Sequence, residues 1–288
     1  MTTMLFTLRL GLLRGWTEFR HTLTTFSDLG SYLLNSAIFV LVLLFMNGNE
    51  MENTELFGTG ITQATLAMPG VLATVLVFGG VLSMAQLLAT DREDGTLLRA
   101  KAIPRGTQGY LIGKVLSISL ITLLSMLAIL VPAALLIDGF QFTAHGMLTL
   151  LWVTALGFLA TLPVGAILGS LFSNPRSLVG VLAMLLVGLM MISGVFFPLS
   201  MLPEWLHWVA QAFPIYWLGL GMRAGLLPDA AVVGELGESW RTLETVGVLG
   251  LWAAVGLLLA PIVLRRMARR ESGSSLEERR HKAMQRIG

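Results

Sequence analysis

VLSISLITLLSMLAILVPAALLI, residues Val115 to Ile137, decides the fold: twenty-three consecutive positions carry no charge, and their only polar side chains are hydroxyls. Hydrocarbon offers a backbone amide no partner, so an apolar run of about twenty residues crosses a bilayer as a helix that bonds its own backbone. A barrel strand would alternate apolar and polar residues instead. Five further runs share this character: Leu29 to Met46, Leu66 to Ala89, Met147 to Leu171, Leu178 to Phe197 and Val246 to Leu264. The composition agrees, with 55% hydrophobic and 12% charged residues, against about 25% charged in a soluble domain. The expected fold class is all-α, a polytopic membrane protein of six transmembrane helices with an N-terminal amphipathic interfacial helix. The first long run begins near Leu29, behind three arginines and without a small-residue cleavage site, so no cleaved signal peptide is expected. There is no cysteine, which excludes disulfides, thiolate ligands and cysteine nucleophiles.

Cations orient the spans. Arg9, Arg14 and Arg20 precede the first; Arg92, Arg99, Lys101, Arg105 and Lys114 lie between the second and third; Arg176 follows the fourth; eight more follow Leu264. Seventeen of nineteen cations thus fall on one side, leaving Arg223 and Arg241 on the other, while the acids divide as eight and nine. By the positive-inside rule both termini are expected in the cytoplasm. The pI near 9.3 follows from this topology, so no nucleic-acid partner is expected.

Three regions flank the spans. In residues 1–28, Leu5, Leu8, Leu12, Trp16 and Phe19 share one helical face, with Thr3, Thr7, Arg14, Glu18 and His21 opposite. An interfacial helix is expected, with Arg9 and Arg20 snorkelling to headgroups; a cytoplasmic helix packed on a partner has the same pattern. Residues 199–245, an external connection with Pro203, Trp205, Trp208, Pro214, Tyr216, Trp217 and Pro228, are too apolar for a plain aqueous loop. They suit short proline-broken helices at headgroup depth, dipping into the outer leaflet. Residues 265–288 form a basic tail suited to anionic lipid. The transmembrane domain is expected over 29–264.

Chemistry of its own is hard to place on this chain. Gly109-Tyr-Leu-Ile-Gly113-Lys114-Val115 approaches a phosphate loop, but the glycine spacing is short and Val115 stands where magnesium needs a hydroxyl. His21, His145, His207 and His281 are scattered, so no metal site is expected. The spans carry no interior ionisable group, which weighs against ion-coupled transport. Asn35 is the deepest polar side chain, open to an interhelical hydrogen bond or a substrate contact. Gly165-x-x-x-Gly169 and Gly221-x-x-x-Gly225 have the spacing of close helix contacts, a dimer contact among them, and Pro132 and Pro163 sit where a kink is expected. The loop 90–114 reads as a compact charged structure: Thr90 and Glu93 have capping-box spacing, Asp94-Gly95 has turn chemistry, and Ile103-Pro104 marks a break.

That loop carries a family resemblance. Asp91-Arg92-Glu93-Asp94-Gly95-Thr96-Leu97-Leu98-Arg99, continuing through Pro104 to Gly113-Lys114-Val115-Leu116, resembles the E-R-E-x-G-T-L…P…G-K-x-L signature of ABC-2 type permeases, with Asp91 where glutamate is usual. Ser193-Gly194-Val195-Phe196-Phe197-Pro198-Leu199, then Leu202-Pro203, Phe213-Pro214-Ile215-Tyr216 and Arg223, is similar to that family's external motif. The resemblance implies a permease subunit, no enzyme and without cofactor of its own. Two copies of a separate ATP-binding protein would supply ATP and Mg, and a second permease copy or a paralogue would complete the dimer. It implies that Asp91, Arg92, Glu93, Asp94, Gly95, Thr96, Arg99, Pro104 and Lys114 couple to that ATPase, in a multi-pass protein of a prokaryotic cytoplasmic membrane. The layout looks closest to daunorubicin-resistance-type drug exporters, with lipid or glycan substrates sharing the fold. A non-transporting scaffold subunit and an ion-coupled carrier are the alternatives.

Overall fold

A computed structural model describes residues 2–48, 61–103, 106–172, 174–196 and 199–270. Among them eleven α-helices occur and no strand: α1 (Thr2–Thr24), α2 (Phe26–Gly48), α3 (Gln63–Val77), α4 (Met84–Glu93), α5 (Thr96–Lys101), α6 (Gly106–Leu136), α7 (Ala144–Leu171), α8 (Pro175–Ile192), α9 (Glu204–Ala212), α10 (Pro214–Leu226) and α11 (Thr242–Arg270). A π turn, Phe78–Ser83, joins α3 to α4 as one rod. Six rods are long and apolar enough to cross a membrane: α2, α3 with α4, α6, α7, α8 and α11. They coincide with the six uncharged runs. The acidic residues Glu50, Glu52 and Glu55, then Pro104, Phe197 and Pro198, and residues 271–288 lie outside the described residues.

Local chemistry sets the helix starts. Thr62, Thr143 and Asn174 each turn a side-chain oxygen onto a first-turn amide, that of Thr65 at 3.2 Å, Gly146 at 3.0 Å and Arg176 at 3.2 Å. Pro175 then occupies the first helical position of α8, where no amide is needed. Pro132 and Pro163 lie inside α6 and α7, which continue through them. The rod of α3 runs through the centre with nearly every residue buried, whereas α2 and α8 bury only three residues each. At the π turn, Gly79 and Gly80 press on the hydroxyls of Thr122 and Thr161, so that a Cβ on either would overlap the threonine.

Three expectations change. Within the external segment, Tyr216 and Trp217 are turned away from any lipid: α10 is plugged into the bundle against α3, α7 and α11, buried throughout except at Pro214 and Ala224, while Trp205 and Trp208 of α9 stay exposed. Its Gly221 and Gly225 face Val153 and Leu150 of α7, and Gly165 and Gly169 of α7 lie where a Cβ would come within 2.5 Å of the Gly80 and Ala85 carbonyls. Both glycine pairs are therefore consumed inside one chain and are not dimer contacts. Asn35 makes no interhelical seam either; it is exposed on α2, and the neighbouring Ser36 is the residue turned inward, its hydroxyl 3.5 Å from the Ser125 carbonyl of α6.

Candidate functional site

Glycines also build the cation-rich end. Gly11 and Gly15 of α1 cross Gly109 and Gly113 of α6 so closely that a Cβ at Gly15 would sit 2.5 Å from the Gly113 carbonyl, and one at Gly11 2.8 Å from Ile112. Small residues spaced by four give each backbone access to the other. Gly109 to Lys114 are thus helix, not the loop a phosphate cradle requires. The crossing packs the glycine and polar face of α1 on the protein and leaves Leu5, Leu8, Leu12 and Trp16 exposed.

Beside the crossing, charges close into a ring. Arg14 Nε donates to Glu18 Oε1 at 3.0 Å; Lys114 Nζ lies 3.3 Å from Glu18 Oε2 and 3.1 Å from Asp91 Oδ2. The Tyr110 hydroxyl donates to the same Asp91 oxygen at 2.5 Å, and the Arg14 guanidinium stacks 4.9 Å from the Tyr110 ring centre. Two acids balance two bases. Asp91 is only 8% exposed, and a carboxylate buried to that degree needs all of these partners. The ring joins α1, α4 and α6, three elements that are remote in sequence.

Arg92 ties the same corner to α7, donating through Nη1 to the carbonyls of Ser170 at 2.9 Å and Phe172 at 3.0 Å, which close the C-terminal end of that helix. The capping-box reading of Thr90 and Glu93 does not hold, because α4 continues the apolar rod through both and needs no new N-terminus there. The turn does form at Asp94-Gly95: Gly95 takes φ 80°, a left-handed conformation suited to glycine, and Asp94 Oδ1 accepts from the Thr96 amide at 2.8 Å. Thr96 accepts in turn from Arg99 Nη2 at 2.9 Å. Leu97 and Ala100 bury one side of α5, while Asp94, Arg99, Lys101 and Ile103 face outward and Glu93 is half-buried. Asp91, placed by motif among outward-acting residues, is turned into the ring.

At the opposite end the external motif also gathers around charge. Gly194, at φ 68°, ends the rod of α8, and its carbonyl accepts from Arg223 Nη1 at 3.2 Å. Arg223, 2% exposed, pairs with Glu235: Nη2 donates to Oε2 at 3.3 Å, and Nε lies 2.5 Å from Oε1 as a charge contact without hydrogen-bond geometry. A hydrogen bond between two charged partners is stronger than a neutral one. Pro203 precedes α9 and Pro214 starts α10; Tyr216 is fully buried, its ring edge-on to Trp217 at 5.1 Å. Trp217 Nε1 and Arg241 Nη1 both bond Gln211, at 2.7 Å each. Sequence reading missed Glu18, Tyr110 and Glu235. Among the described residues no group of three or more His, Asp or Glu could hold a metal ion.

Six membrane rods, a plug helix between them and charged joints at both ends define a polytopic all-α membrane protein. The family model of the ABC-2 family transporter protein matches residues 31–262, and the chain belongs to that family. No curated protein matches it. It is therefore the transmembrane component of an ABC transporter, in a family whose members work with an ATP-binding partner and are not themselves the ATPase.

Proposed function

We propose that this permease exports a hydrophobic or amphipathic molecule, drug-like, lipid or glycan, across a prokaryotic cytoplasmic membrane, driven by two copies of a separate ATP-binding protein that bind ATP and Mg. Layout favours a drug of the kind handled by daunorubicin-resistance-type exporters. The end bearing Asp91, Lys114 and Arg265 faces the cytoplasm, as the distribution of seventeen of nineteen cations supports. The corner from Asp94 to Ile103 docks on the ATPase as coupling helix. The observation that carries this is the contrast within the corner: its outer face presents Asp94, Arg99 and Ile103, while its inner face is bolted to α1, α6 and α7 through Asp91 and Arg92. A push on the outside is then transmitted to three helices at once.

The chain works with a second permease, a like copy or a paralogue. Asn35 supports this, since an amide exposed on the middle of an apolar rod is costly in hydrocarbon unless another surface covers it. The cavity between the two copies then alternates its access. Expressed with its ATP-binding protein, the permease should hold that protein through detergent, stimulate its hydrolysis and support vanadate-sensitive uptake into inverted vesicles. Absence of both retention and stimulation would overturn the reading, and uptake that follows a proton gradient and ignores vanadate would replace it with a carrier.

A further inference from the structure

We propose that the corner-side ends of α4 and α7 move as one lever, swinging about a hinge layer made by the π turn and Pro163. That an ATPase does the pushing rests on the reading above; the hinge stands without it. The rod that ends at Asp91 and Arg92 is not α-helical throughout, because six residues, Phe78–Ser83, form a π turn in its middle. No proline stands there, but Gly79 and Gly80 do, and glycine is poorly suited to a helix interior. Single π turns inside long helices mark functional sites and kinks. Such a turn also exchanges one set of backbone bonds for another without showing an amide to hydrocarbon, as a hinge inside a membrane must.

Pro163 weakens α7 at the same height. It has no amide to give the Leu159 carbonyl, four residues back, and its ring crowds that carbonyl. The two weak points touch. A Cβ on Gly80 would overlap the Thr161 side chain, one on Gly165 would sit 2.5 Å from the Gly80 carbonyl and 2.6 Å from that of Val81, and one on Gly169 2.5 Å from that of Ala85. Much of this contact is therefore backbone on backbone. On the far side of the layer, Leu76 of α3 and Leu218 of α10 close over Gly157 of α7 and hold those halves together. Toward the corner, Arg92 bonds the end of α4 to the Ser170 and Phe172 carbonyls. Eight residues separate Ser83 from Asp91 and Pro163 from Leu171, about 12 Å of helix in each arm. Two arms of equal length, hinged at one height and joined at their tips, swing together. The ring at Asp91, with Arg14 and Glu18 partly exposed, gives the tips room to move.

The chain has no cysteine, so spin labels can be placed in pairs on the full chain in lipid nanodiscs and their distances read by double electron–electron resonance. Trp208→Cys on α9 serves as the reference; Leu148→Cys marks α7 beyond the hinge, and Leu171→Cys and Thr90→Cys mark the two tips, all at exposed positions. A bend of about 20° moves the tip of such an arm by about 4 Å. Both tip distributions should therefore be broader than that of Leu148 by up to about 4 Å. Pro163→Ala should narrow the Leu171 distribution to match Leu148 while raising Tm; a merely structural proline would change Tm alone. Addition of the ATP-binding protein and vanadate should shift both tips and leave Leu148 in place. Tip distributions as narrow as that of Leu148 in the parent chain would overturn the hinge, as would a Leu171 distribution that stays broad in Pro163→Ala, or equal shifts of all three labels. The first two comparisons need no ATPase, so they can fail while the transport reading stands.

Discussion

The two ends of this bundle bury charge in opposite ways. Far from the cation-rich end, Arg223 of the plug helix α10 and Glu235 beyond it form a closed ion pair, both sealed from solvent. At the cation-rich end, Asp91, Lys114, Glu18 and Arg14 form an open ring whose members stand on three separate helices, with Glu18 and Arg14 partly exposed. A sealed pair fixes one geometry, because any displacement strands a charge in an apolar interior. A ring with a wet edge tolerates small shifts and still holds its helices in register. The first is an anchor, and the second has the properties of a joint.

Breaking the anchor should have the largest effect. Glu235→Ala leaves a buried guanidinium without its carboxylate, at a cost of about 3 to 5 kcal/mol, and should abolish monodisperse folded protein in gel filtration. Replacing both partners, Arg223→Met with Glu235→Leu, should restore most of the yield, as apolar substitutes for a buried pair often do. Lys114→Ala at the joint should cost less, about 1.5 to 3 kcal/mol for the charge-assisted bonds to Asp91 and Glu18. The expected result is a folded protein with lowered Tm that binds the ATPase and no longer stimulates it. Gly15→Val tests the crossing beneath the ring. Its Cβ meets the Gly113 backbone, so α1 must shift at about 1 to 3 kcal/mol, measurable as faster proteolysis within α1. Asp94→Ala, losing an exposed turn bond to Thr96, should cost about 1 kcal/mol or less by thermal melt. If the order of the first two were reversed, the distinction between anchor and joint would fail.

Much of the fold could be read from sequence because the bilayer's demand is local: about twenty apolar residues make a span regardless of what lies elsewhere. The turn at Asp94-Gly95 was equally legible, since both residues act on their immediate neighbours. The ring was not. Glu18 and Lys114 are paired in space and remote in sequence, and Arg14 and Glu18 read as the ordinary polar face of an amphipathic helix. A usable signal existed in Gly11-x-x-x-Gly15 and Gly109-x-x-x-Gly113, matched small-residue faces on two helices, but the second pair drew attention as a failed phosphate loop. Glu235 was missed for a related reason, since a lone arginine in an apolar segment calls for a carboxylate and the external acids offered several. The capping-box spacing at Thr90 misled because α4 simply continues a span. The burial of α10 was hidden too, as tryptophan, tyrosine and proline are equally at home at headgroups and in a packed plug.

In the proposed cycle, work enters through the outer face of the corner between α4 and α5. A chain without cysteines allows a single reporter at Ile103→Cys, which is 62% exposed in the protein alone. The measurement is the rate at which a membrane-impermeant maleimide labels that cysteine in inverted vesicles, with and without the ATP-binding protein. The expected result is strong protection by the partner, a changed rate on vanadate trapping, and protection that persists when Lys114→Ala has removed stimulation. Labelling that is equally fast with and without the partner would contradict it.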